Sequence, residues 1–339
     1  MTFFALCVTY YNDTVMEPFH SLPWLLEKND PGVRYAALRD LVEPPKNQSE
    51  LAAAQKEAYS KGKIGEVLNH MDPEGYWRKP GAGYNPKYFS GVWSLILLSQ
   101  LGASVDDDPQ IKRACEYYLN HAFTTDHSLS YNGTPSGTVD CLQGNMCMAL
   151  TRLGCSDDRL AQTYEWMARS VIGDNVKYYA YKCGPKFACG ANGKKPCAWG
   201  AVKVLLALGN LPKDNRTKNI TKAIKMGAEF LLSTDPLKAN YPTRTNTKPN
   251  KGWWKFGFPV FYMTDILQIA EALGSIGYGH DPRLKDTLDY IRSKQDDIGR
   301  WLLEYDYSGK TWGSYGEKGQ PNKWVTYRVL KLLKSLDNN

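Results

Sequence analysis

A short pattern repeats four times along the chain, and it dictates helical hairpins. An apolar segment ends in Leu-Gly, a few small or polar residues follow, and an Asp with Pro or Arg close behind opens a second, amphipathic segment. The copies run Leu101-Gly102 to Asp108-Pro109, Leu153-Gly154 to Asp158-Arg159, Leu208-Gly209 to Asp214-Asn215-Arg216, and Leu273-Gly274 to Asp281-Pro282-Arg283. Gly just past a helix takes the left-handed turn that ends it, Asp caps the next helix, and Pro fits a first turn. An incomplete copy, Asn29-Asp30-Pro31-Gly32-Val33-Arg34, stands near the start. The glycines at 102, 154, 209 and 274 lie 52, 55 and 65 residues apart. That leaves room for one helical hairpin and a connecting loop each, so the pattern predicts an all-helical repeat protein.

The two helices of each hairpin differ in character. The first is strongly apolar (residues 90–100, 138–152, 198–208 and 259–272), and the second carries more charge (110–120, 160–171, 217–232 and 283–294). Buried inner helices inside a ring of amphipathic outer helices follow from that asymmetry. Residues 48–70 and 322–336 supply further helices, giving five to six hairpins, enough to close an α/α toroid. We expect one such domain over residues 16–336, after an extension of residues 1–15. The loop before each inner helix is long (81–88, 128–137, 183–196, 236–257 and 305–322), whereas the turn after it is short. With parallel inner helices, the long loops gather at one mouth, where the helix N-termini point their positive ends. The site is expected there.

The net charge of +7 comes from dispersed lysines without a run of five like charges, a solvated basic surface and not a nucleic-acid footprint. No apolar run reaches the roughly 18 residues of a membrane span, and the N-terminal Met-Thr-Phe-Phe-Ala-Leu-Cys-Val lacks the features of a signal peptide, so the reading is cytoplasmic. The chain holds 10 Trp and 22 Tyr, more than core filling needs. Tyr84, Tyr88, Trp199, Trp253, Trp254, Phe256, Trp312 and Trp324 fall in mouth loops or at inner-helix starts, and are expected to line a pocket for a small-molecule substrate.

Residues 183–200 form a loop rich in Gly, Pro and Lys that carries Cys183, Cys189 and Cys197, and Cys141 opens the neighbouring inner helix. Such a loop has little apolar surface to bury, and four sulfurs could converge into a tetrahedral site. Zinc is the natural candidate, with iron–sulfur or disulfide chemistry as alternatives. Four thiolate ligands would make the metal structural, whereas a catalytic zinc would need one position open. A helix N-terminus also favours thiolate at Cys141 and Cys197. Two carboxylates are candidate acids. Asp265 interrupts the apolar segment 259–272 about two turns inside the expected mouth, where burial would keep it protonated and usable for proton donation; packing against a hydroxyl is the plain alternative. Asp140, at a helix start, caps that helix or sets the charge of Asp265.

Gln295-Asp296-Asp297-Ile298-Gly299-Arg300-Trp301 resembles the Gln-x-x-x-Gly-x-Trp motif of squalene and oxidosqualene cyclases, and Met71-Asp72-Pro73-Glu74-Gly75-Tyr76-Trp77 looks like a second copy. With the hairpins, the chain resembles the α/α-toroid superfamily of triterpene cyclases and protein prenyltransferase β subunits. The resemblance implies a toroid and an isoprenoid or other apolar small molecule in its cavity. The family's catalytic motifs do not carry over: Asp106-Asp107-Asp108-Pro109 sits in a hairpin turn, and Asp140 and Cys141 are adjacent where the prenyltransferase zinc set has an intervening residue. Two rival readings stand beside it. A carbohydrate-active enzyme would use paired acids, with Glu304 opposite Asp265, and aromatic platforms. A non-catalytic scaffold would use the cysteines as a staple.

Overall fold

The computed structural model describes residues 20–43, 48–174, 176, 183–245 and 249–337. The expected extension, residues 1–15, lies outside them. The helices are α1 (Leu22–Leu25), α2 (Pro31–Asp40), α3 (Gln48–Ser60), α4 (Lys63–Leu68), α5 (Gly91–Leu101) and α6 (Pro109–Ala122). There follow α7 (Asp140–Arg152), α8 (Asp158–Ile172), α9 (Ala198–Gly209), α10 (Lys218–Leu231), α11 (Ile266–Ser275), α12 (Lys285–Ser293) and α13 (Lys323–Asp337). A small antiparallel hairpin, β1 (Cys183–Gly184) with β2 (Ala188–Cys189), precedes α9. Among the described residues, no helix is long and apolar enough to cross a membrane.

Helices α2, α5, α7, α9, α11 and α13 pack each against the next in that order, and α13 returns against α2. The ring is closed. Helices α3, α6, α8, α10 and α12 pack outside it, so the chain forms an α/α toroid. The two rings bury different patterns: every residue of α5 except Gln100 is buried, whereas α10 buries a stripe, Ile220, Ala223, Ile224, Gly227, Ala228 and Leu231, at helical spacing.

Two of the four hairpin turns follow the expected chemistry closely. Gly102 is left-handed (φ 84°) and Asp108 accepts a bond from the Gln110 amide. Gly154 is left-handed (φ 80°), with the cap one residue earlier than expected, at Asp157. The other two copies differ. Gly209 and Gly274 stay helical, Gly277 (φ 89°) takes the turn after α11, and Thr217 caps α10 in place of Asp214. Gly209 serves close packing instead: a Cβ there would lie 2.1 Å from Ser275 Oγ on α11. The incomplete copy also has a different role, because Asp30 caps α2, the sixth inner helix.

The main departure lies in residues 256–264. The expected inner helix over 259–272 begins only at Ile266, and the chain before it threads the ring interior without helical structure. Phe258-Pro259 and the run of aromatic and β-branched residues disfavour helix, and side chains of the inner helices satisfy the backbone instead. Gln100 bonds both the N–H and the carbonyl of Val260 (2.8 and 2.7 Å), Asn145 donates to Phe261 O and Arg328 to Gly257 O. This plug splits the lumen. Tyr262 lines a cavity of about 260 Å³ at the N-terminal mouth, and Phe258 and Val260 line one of about 720 Å³ at the C-terminal mouth. The last turns of all six inner helices contribute to the larger cavity, as parallel inner helices require.

The two cyclase-like motifs share one geometry. Trp77 and Trp301 are fully buried, and each indole donates to a carbonyl ten residues earlier, Val67 and Ile291. Gly75 and Gly299 take positive φ (105° and 75°), and Asp72 and Asp296 close the turn onto Tyr76 and Arg300 through their backbone amides. The motif is a staple between a preceding helix and the loop that leads to the next inner helix.

Candidate functional site

Close approach of α7 and α9 builds the N-terminal pocket. Gly144 faces the backbone of Lys203, where a Cβ would lie 2.2 Å from the Lys203 carbonyl carbon, and Gly200 faces Asp140, where it would lie 3.1 Å from Asp140 Cβ. With no side chains between them, the two helix starts bring Asp140 and Cys141 beside Cys197. The loop before α9 then folds back over this point. Phe187 pins it, buried and stacked on Phe230 (5.6 Å), so the loop has an apolar anchor that its composition did not suggest. Cys189 N–H bonds Lys195 O, Lys194 N–H bonds Cys189 O, and Cys197 N–H bonds Phe187 O. Cys189 and Cys197 thus come within side-chain hydrogen-bond reach.

The pocket is lined by Asp140, Cys141, Cys189 and Cys197, with Tyr84, Tyr131 and Tyr262 around them. Lys87 lies over the rings of Tyr84 (5.0 Å) and Tyr262 (4.8 Å). Asp140 is 6% exposed, and its Oδ2 has no hydrogen-bond partner among the described residues. It caps nothing, because it is already the first residue of α7. Burial, and then the neighbouring Cys189, push its carboxyl up to about 8.

The thiols order themselves differently from the expectation. The Cys197 S–H bond to Cys189 holds Cys189 well below the ordinary thiol value against its burial, and the amides of Asn192 and Ala191 add to that. Cys197 is pushed up by the same bond and by burial. Burial raises Cys141 to about 11, although the Tyr262 hydroxyl bonds it. The helix-start thiols therefore stay protonated, Cys141 because desolvation outweighs the helix dipole and Cys197 because its bond to Cys189, and then burial, do so, and the thiolate falls to the loop cysteine.

Among the described residues, no group of three or more His, Cys, Asp or Glu side chains is arranged to hold a metal ion. Cys141, Cys189 and Cys197 line one pocket, but two of them are bonded to each other and the third to Tyr262. The fourth expected zinc ligand is Cys183. Its backbone pairs with Cys189, and its side chain lies outside the described residues.

Asp265 sits elsewhere. Because α11 starts later than expected, Asp265 is its N-cap, fully buried behind the plug and lining neither cavity. It accepts bonds from the Gln268 amide (2.8 Å) and the Tyr305 hydroxyl (3.0 Å), and lies 3.7 Å from Arg328. Helix α9 separates it from Asp140 on α7. Glu304 does not face it across a groove, since it pairs with Lys294 (2.6 Å) and accepts the Phe256 amide.

Of the expected aromatics, Tyr84 lines the pocket. Tyr88 packs between Trp93, Tyr307 and a stacked Phe261. Trp253, Phe256, Trp312 and Trp324 are core residues, and Trp199 and Trp254 are half-buried against that core. These rings serve packing because the plug and the loops beneath it fill the space they were expected to leave open. Tyr131 and Tyr262 were not singled out. Tyr131 stands in one of the long loops, and Tyr262 was hidden in a segment read as helix.

No protein-family model matches the chain, and neither does any curated protein. Among solved structures, it is similar to a C. acetobutylicum ATCC 824 glycoside hydrolase from family 105. The identity is 10%, the match covers 95% of this chain and 100% of that one, and the TM-score is 0.47.

Proposed function

We propose that this toroid is an enzyme acting on a small polar substrate at its N-terminal mouth, of the carbohydrate-active kind, with Asp140 as proton donor and Cys189 as nucleophile. The observation that carries this reading is the buried Asp140 carboxyl, its Oδ2 without a hydrogen-bond partner among the described residues, in the same pocket as the Cys189–Cys197 pair. An acid that keeps its proton near neutrality beside a thiol that loses its own is the pairing that bond cleavage by acid and nucleophile needs. In a glycoside, Asp140 would protonate the leaving oxygen as the Cys189 sulfur attacks the anomeric carbon. Water would then displace the sulfur, returning a proton to Asp140. The tyrosine hydroxyls suit a sugar ring. At about 260 Å³ the pocket lies below the ~300–1,000 Å³ of drug-sized sites, room for a single ring. The isoprenoid reading has less support, because the plug divides the lumen and leaves only about 260 Å³ beside Asp140 and the cysteines, too little for a long apolar chain.

Two measurements test the proposal. Iodoacetamide at pH 7 should alkylate Cys189 ahead of every other thiol in the native protein, read by peptide mass. Hydrolysis should be found in a panel of aryl glycosides and drop by about 10³-fold or more in Cys189→Ala and in Asp140→Ala. Preferential labelling of another cysteine, or turnover that survives both substitutions, would overturn it.

A further inference from the structure

The cavity at the C-terminal mouth has no part in that chemistry. We propose that it binds a small organic polyanion, a phosphate ester or a polycarboxylate, held between Lys203 at its floor and Arg152 and Lys213 at its rim. Its volume of about 720 Å³ falls in the range of small-molecule sites, ~300–1,000 Å³. Its walls are unusually one-sided in charge. Arg39, Arg152, Lys213, Arg216 and Lys331 surround the opening and Lys203 and Arg328 lie deeper, against two acids among the described residues, Asp40 and Glu271.

Some of these cations are already matched. Arg39 and Lys331 share Asp40, and Arg328 makes a two-pronged contact with Glu271 (3.1 and 3.0 Å). Arg216 donates to the carbonyls of Gly209 and Leu211, the ordinary use of a cation at a helix C-terminus. Three cations remain. Lys203 is 1% exposed in the middle of α9, and its ammonium donates to a neutral amide, Gln268 Oε1 at 2.5 Å. The nearby carboxylates of Asp265 and Glu271 are both engaged by Arg328. An ammonium with an amide for a partner is costly to bury, and it has further protons to donate where the cavity meets it. Arg152 has one long bond, 3.4 Å, to the Asn210 side chain, and Lys213 has no acidic partner among the described residues. Leu206, Met148 and Ile276 supply apolar wall for an organic skeleton.

A helix-end explanation covers Arg216 but not Lys203, which stands a turn and a half from the end of α9. A ligand with two or more negative groups would reach floor and rim together, giving the Lys203 ammonium a direct charged acceptor and supplying the missing counter-charge at the rim.

The test is calorimetry on the full chain at pH 7 and fixed ionic strength, with inorganic pyrophosphate and citrate as probes. Saturable binding of at least one is expected, and the tighter of the two tells phosphate from carboxylate chemistry. Affinity should fall about 10-fold or more in Lys203→Met and in Arg152→Gln, and stay unchanged in Cys189→Ser, which alters only the other mouth. Should Lys203→Met not fold, Arg152→Gln and Lys213→Gln, both at the rim, decide the matter. Absence of saturable binding by either probe, or binding that these substitutions leave unaltered, would overturn the proposal.

Discussion

Asp140 is worth following as a single titrating group. Its folded carboxyl titrates at about 8, whereas an unfolded Asp titrates near 3.9. The folded chain therefore holds the extra proton throughout that window, and the contribution of this group to stability falls as pH rises from about 4 to about 8. Asp140→Asn removes the titration. In urea denaturation the variant should match the wild type closely at pH 4 and exceed it by on the order of 2–5 kcal/mol at pH 9; a difference independent of pH would contradict the assignment of a buried, protonated acid. Lys203 behaves oppositely, since burial lowers it to about 8. Both residues stand out in the sequence for one reason: a charge next to or within an apolar helix. Asp140 was read and Lys203 was not, although a lone Lys in Gly-Ala-Val-Lys-Val-Leu-Leu carries the same signal. Asp265 gave that signal too, but it marked a helix start, because the apolar residues before it belong to the plug.

At the scale of elements, the α7–α9 pair shows how the site depends on backbone approach. Gly144 sits in the middle of α7, where Gly is unfavourable by about 1 kcal/mol relative to Ala, so an open position there would gain from Ala. The helix packing reverses the sign, because a Cβ would be 2.2 Å from a backbone carbon of α9, and a backbone cannot swing aside. Gly144→Ala should cost about 3 kcal/mol by thermal or chemical denaturation, at the upper end of overpacking effects. It should also separate the thiols, slowing alkylation of Cys189. An unchanged or stabilised variant would mean that the helices do not approach this closely. Hairpin turns and apolar segments were legible because Gly, Asp and Pro act locally. The close approach was not, since it depends on what faces Gly144 from another part of the chain. The plug escaped for a related reason: its backbone is satisfied by Gln100, Asn145 and Arg328, whose contacts span 160, 116 and 71 residues of chain.

For the whole molecule, the decisive feature is the seam where the last inner helix meets the first. The sequence suggested five to six hairpins without saying what closes them, because α2 follows a turn pattern that elsewhere opens outer helices. At the seam, Asp40 at the end of α2 accepts bonds from Arg39, from Lys331 (2.6 Å) and from the Tyr327 hydroxyl on α13. Lys334 donates to Leu41 O, and Lys323 bonds Glu27 and Asn29. Burial opposes ionisation of Asp40, but the Arg39 hydrogen bond and the Lys331 charge outweigh it and hold the carboxyl well below the usual range. Its folded pKa is depressed, so its contribution is present above the unfolded value near 3.9 and is lost as pH falls through the folded one. Asp40→Asn keeps the shape and an acceptor for Tyr327, but leaves Arg39 and Lys331 without their counter-charge. It should cost about 2–3 kcal/mol at pH 7, less than the full penalty of a broken buried pair because Lys331 is half exposed. The gap should close in strong acid, where the wild-type carboxyl is itself protonated. Hydrogen exchange locates the effect: protection should drop together in α2 and α13 while α7 and α9, packed on both flanks within the ring, keep theirs. Loss spread evenly over all six inner helices would show instead that the ring opens as one cooperative unit, with no weak point at the junction of its two ends.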